Sequence, residues 1–196
     1  MTKLRTVLIV VCTLLLAGCL PVTSKTPVGT TVGLGADPAL IGTWQGYDQE
    51  HHHLHVYLHI YARKDVGLIA VQVATGNKQE DGGVMLYQLK TTTLGANRFL
   101  DVFKFCDDGD QAKWTDLNGG STPVLYRIAH HTLTLSQLDE DKVKAAIAAG
   151  AIAGTVEPGD YGDVQLTADA KTLDAFMARP ETAKLYKILM VFRKTE

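Results

Sequence analysis

His53-Leu54-His55-Val56-Tyr57-Leu58-His59-Ile60-Tyr61 changes character at every step. On an extended chain Leu54, Val56, Leu58 and Ile60 share one face, and His53, His55, Tyr57, His59 and Tyr61 share the other. This period of two predicts a strand with one side in a core. The aliphatic side chains are expected to point inward, leaving the imidazoles and phenols on the outer wall.

Working outward, short apolar stretches separated by turn residues predict strands over 42–47, 66–75, 84–92, 99–105, 124–129, 132–138, 163–166 and 186–193. Two helices interrupt them late. Residues 139–149 carry acidic groups in the first turn, Val143 and Ile147 four apart, and Gly150 as a stop. In the second, Thr167 or Asp169 is the cap, Leu173, Phe176 and Met177 form one side, and Pro180 follows the end. About nine short strands must close or cover their edges. The fold class expected is therefore mainly β, an antiparallel barrel of about nine strands with two short helices near the C-terminus. A sandwich is the architectural alternative, because alternation does not decide closure.

The 196 residues are 46% hydrophobic and 20% charged, a globular composition rather than a disordered or fibrous one. A formal charge of −2 offers no electrostatic basis for nucleic-acid binding. Lys3 and Arg5 precede an apolar run over 7–16 that is too short for a spanning helix and has the size of a signal-peptide core. Leu16-Ala17-Gly18-Cys19 follows, and it resembles the lipobox of bacterial lipoproteins. The resemblance implies a signal peptide over 1–18, lipid on Cys19, and, with Leu20 rather than Asp next, an anchor in the outer membrane at its periplasmic face. Residues 19–38, rich in Pro, Thr, Gly and Val, are expected to be a lipidated flexible tether, and 39–196 the barrel domain. Once Cys12 is removed and Cys19 acylated, Cys106 has no intramolecular partner.

Gly42-Thr43-Trp44 at the start of the domain resembles the Gly-x-Trp element of lipocalins, and Arg193 near its end matches the position of their partner arginine. The resemblance implies a calycin-type barrel, with the guanidinium over the indole of Trp44 and a mouth for an apolar ligand. Two helices with a strand between them depart from that family's single helix. The stretch 145–176 instead resembles the C-terminal part of small exported proteobacterial proteins, a similarity that implies no activity.

Candidate chemistry is sparse. His53 and His55 sit ~6.5–7 Å apart on one face of a strand, a spacing at which two imidazoles can share a metal ion. His51 is a third candidate ligand, and Zn or Cu the candidate metals. No HExxH or CxxC accompanies them, and a solvent-facing strand explains them as well. Cys106 precedes Asp107-Asp108-Gly109-Asp110, whose carboxylates disfavour a thiolate and lack the order of a Ca²⁺ loop. No Gly-x-Ser-x-Gly elbow, Ser-x-x-Lys or phosphate loop occurs, and His130-His131 read as a hairpin tip. The chain is thus expected to be a lipid-anchored, non-enzymatic envelope protein without a required cofactor, binding a small apolar ligand or lipid. The alternatives are an assembly lipoprotein docking on an outer-membrane partner, or a weak divalent-metal binder.

Overall fold

The computed structural model describes residues 22–47, 55–76, 83–104, 120–158 and 163–195. In chain order its strands are β1 (Val22–Ser24), β2 (Gly42–Tyr47), β3 (His55–Arg63), β4 (Gly67–Thr75), β5 (Gly83–Leu94) and β6 (Asn97–Lys104). After them come β7 (Thr122–Ala129), β8 (Thr132–Leu138), α1 (Glu140–Ala148), β9 (Gly154–Val156), β10 (Val164–Leu166), α2 (Ala170–Met177) and β11 (Tyr186–Lys194). β2 to β8 and β11 close into one antiparallel barrel in the order β11-β2-β3-β4-β5-β6-β7-β8, and β8 pairs back to β11. Closure leaves no sheet edge along most of the wall.

Eight of the nine expected strands are staves of this barrel. The ninth, expected at 163–166, is β10, which lies outside it between β1 and β9 in a small three-stranded sheet. On β3 the alternation resolves as expected: Val56, Leu58 and Ile60 are buried, while His59 and Tyr61 are exposed. Leu54 and His53 lie outside the described residues.

The apolar side chains form two cores. One fills the barrel, with Trp44, Ile60, Leu68, Leu100 and Leu133 at its centre. The other lies against the barrel's outer wall, where Phe99, Leu138 and Tyr186 meet Val22, Val28, Val143, Leu166, Leu173 and Met177. Asp139 caps α1 by accepting from Lys142 N–H, and Asp169, one of the two expected caps, closes α2 by accepting from Thr172 N–H at 3.0 Å.

Two expectations need correcting. From Val22 onward the supposed tether is built into the fold: β1 pairs parallel with β10, and Val22 and Val28 are buried in the outer core. Two of its three valines are core residues, Val32 being exposed, and its polar backbone finds partners. The segment passes along the outer face of β6, pairs Gly35 with Thr91 through two backbone hydrogen bonds, and crosses the end of the barrel into β2. The second correction concerns the cation over Trp44. The β2–β11 register places Lys194 opposite Trp44 and Arg193 opposite Gln45. Lys194 Nζ therefore lies 5.2 Å from the centre of the indole, and Arg193 is exposed on the other face. Gly42, at φ +137, permits this, since a Cβ there would stand 2.7 Å from Lys194 Cε.

Candidate functional site

One end of the barrel is plugged. A 3₁₀ turn, Pro38–Leu40, carries fully buried Leu40 into the base, and the Leu40 carbonyl accepts from Trp44 Nε1–H at 2.7 Å. Beside it Asp37 collects three donors: Ala39 N–H, the Tyr126 hydroxyl at 2.8 Å and the Arg98 guanidinium, which also stacks over the Tyr126 ring. Burial, then the Asp37 contact, pushes the Tyr126 hydroxyl well above the usual phenol range. These contacts tie the 3₁₀ turn to β6 and β7.

The wall is interrupted next to it. β6 and β7 each have eight residues, yet only Phe99–Val102 and Thr122–Leu125 pair. Beyond Leu125, Tyr126 to Ala129 pair with β8 alone. The strands part, and a cavity of about 440 Å³ occupies the notch. Lumen-side Tyr126 and Ile128 and outer-face Leu125 and Ile188 line it together, with Arg98 and Arg127 among the lining residues. Ile188 reaches this wall because β11 bulges between Ile188 and Met190, which leaves Ile188 65% exposed. Among the described residues no carboxylate lines the notch, and Arg127 makes no ion pair. Apolar walls with the Arg127 guanidinium, beside an Arg98 already paired with Asp37, suit a molecule with an apolar body and a negative end.

A second group is wholly buried. Asp101, on the outer face of β6, is fully buried beneath the 22–37 segment. Its Oδ1 accepts from Val28 N–H at 3.0 Å and from the Ser121 hydroxyl at 2.9 Å, while Oδ2 has no partner among the described residues. Asp174 on α2 accepts from Gly29 N–H at 2.6 Å and, through its other oxygen, from Thr31 N–H and Oγ1–H. Burial pushes the Asp101 carboxyl up to about 7, against the pull of its two donors.

The sequence-derived candidates are scattered. Cys19, His51, His53 and Cys106 lie outside the described residues. His55 and His59 are on the outer face of β3, where His59 Nδ1 shares a 2.9 Å hydrogen bond with Thr43 Oγ1. His130 and His131 form the tip of the β7–β8 hairpin, as expected, with φ of 47° and 61°. Among the described residues, no group of three or more His, Cys, Asp or Glu side chains could hold a metal ion. Asp37, Arg98, Arg127, Asp101 and Asp174 escaped the sequence reading. A signal existed for Asp101: Leu100 and Val102 face one way, Phe99 and Phe103 the other, so β6 is apolar on both sides and an Asp between the phenylalanines is covered.

No protein-family model, no curated protein and no solved structure matches the chain. The class rests on the fold itself, a closed antiparallel barrel of calycin or lipocalin-like form.

Proposed function

We propose that this chain is a lipid-anchored, non-enzymatic envelope protein that binds a small apolar molecule or lipid with an anionic end. The Leu16-Ala17-Gly18-Cys19 box behind Lys3 and Arg5 supports the anchor: acyl chains on Cys19 hold the protein at the periplasmic face of the outer membrane. The notch between β6 and β7 carries the binding reading. Its volume falls within the range of small-molecule sites, and Leu125, Ile128 and Ile188 offer the apolar walls. Arg98 is fixed by Asp37 and contributes position, whereas Arg127, with no ion pair among the described residues, meets a carboxylate or phosphate. The base of the lumen is filled by Leu40 and Trp44, so the ligand enters through the wall rather than lying along the axis.

Two measurements test this. Intact-mass analysis of the mature protein is expected to find an acylated N-terminal Cys19, and an unmodified cysteine overturns the anchor. Displacement of a fluorescent fatty acid by oleate is expected to saturate, with the uncharged methyl ester at least tenfold weaker. Arg127→Glu should abolish that preference, and Ile188→Asp should weaken both ligands. If neither ligand binds saturably, the binding reading fails and docking on an outer-membrane partner replaces it.

A further inference from the structure

The 22–33 segment is held to the barrel by an unusual clamp. Three of its backbone N–H groups, those of Val28, Gly29 and Thr31, donate to two buried carboxyl groups on different elements, Asp101 on β6 and Asp174 on α2. The approach is close: a Cβ at Gly29, where φ is +91, would strike the Thr92 side chain. Asp101 is placed at a cost, because one of its oxygens is buried with no donor among the described residues. A neutral carboxyl costs less in that position than a carboxylate, whose full charge is taken out of water.

We propose that Val22 to Gly33 is a proton-controlled strap, docked on the outer wall of β6 while Asp101 is neutral and released when Asp101 ionises. The charged and titratable groups acting on Asp101 are Asp174 from α2, which opposes its ionisation, and Lys90 from β5, which favours it. From β11, Tyr186 feels Asp101, and its hydroxyl is pushed far up by burial and then by that carboxyl, so it supplies no anion. With Asp174 beside it, an ionised Asp101 puts two carboxylates under one strap. Opening lets water reach Oδ2 and relieves both penalties.

The direction follows from linkage. The docked form keeps the Asp101 proton up to about 7, and a solvated carboxyl loses it near the ordinary value of 3.8. The docking contribution is therefore complete below about 3.8, declines as pH rises, and is gone above about 7. The consequence for reach rests on the anchor reading. Docked, only Leu20 and Pro21 separate Cys19 from the fold; released, the leash lengthens by the whole strap, and the barrel and its notch can leave the membrane surface.

Hydrogen exchange on the full mature chain decides it. After correction for intrinsic rates, the opening constant for the Val28, Gly29 and Thr31 amides is expected to rise roughly 30-fold from about pH 5.5 to about pH 8.5. Asp101→Asn keeps the shape and stays neutral, so its opening should not change with pH. Ser121→Ala removes a donor that favours the charged form and should move release to higher pH, a second check if the Asn variant does not fold. Flat exchange in the wild type, or the same rise in Asp101→Asn, overturns the latch. Neither result bears on acylation of Cys19, which intact mass reads separately.

Discussion

The barrel's lumen and the core on its outer wall are both lined by Leu, Val and aromatic side chains, but they are sealed in different ways. Around the lumen the backbone is paired strand to strand through eight staves, and the polar groups of the base converge on one residue, Asp37. The outer core has a barrel wall beneath it and only short elements above: β9, β10, two helices and the strap, whose first residues are β1. Its seal depends on side chains, with Asp101, Ser121, Asp174 and Thr182 all buried and accepting or donating across elements. A ladder of neutral amides is indifferent to pH over the ordinary range. A seal made of carboxyl groups is not. The difference places sensitivity in the outer layer and permanence in the barrel.

The largest expected effect tests the lumen. Trp44 is 1% exposed, its indole N–H is bonded to Leu40 O, and Lys194 lies over its face. Trp44→Ala should cost about 3–5 kcal/mol in chemical denaturation, because the cavity opens at the plugged end where nothing can collapse into it. Both cores should melt together, since the outer one has no wall without the barrel. Retained protection of outer-core amides in that variant would break the comparison.

Next comes Asp174→Ala, which takes away the acceptor for two strap amides and one hydroxyl. Leaving the buried Gly29 amide unpaired, with the exposed Thr31 amide turning to water, should cost about 2 kcal/mol. The loss should be local: faster exchange at Gly29 and Thr31, with β3 and β4 protected as before. If β3 and β4 amides lose protection equally, the outer layer is not a separate cooperative unit.

What could be read from the sequence follows the same division. The barrel staves were legible because burial on one face writes a period of two into residues such as Val56, Leu58 and Ile60, and because the glycine and asparagine turns between them are local. The outer layer left no such trace. Val22-Thr23-Ser24 is too short to show a period, and its partner, Val164–Leu166, stands far along the chain. Register was equally silent: Arg193 and Lys194 are adjacent cations, and only the pairing of β11 with β2 decides which one faces Trp44. The notch depends on where β6 and β7 stop pairing, a property of two strands jointly that neither sequence carries alone.

The smallest effect concerns the barrel alone. His130 and His131 occupy both central positions of the two-residue β7–β8 hairpin, with φ of 47° and 61°. Such a turn matches the twist of the flanking strands and requires positive φ at both positions, where Asn followed by Gly is favoured. Histidine tolerates that region better than most side chains but not freely, at ~1 kcal/mol or more for a non-glycine residue. Both side chains are exposed, so replacing them removes little buried surface. His130→Asn with His131→Gly should therefore stabilise the protein by roughly 1 kcal/mol in urea denaturation, after the extra unfolded-state freedom of glycine is subtracted. The gain should appear in global unfolding and leave strap opening, measured at Val28 and Gly29, unchanged at every pH. A shift in strap opening of comparable size would mean that the far hairpin and the outer layer communicate through β7, and that the two cores are one.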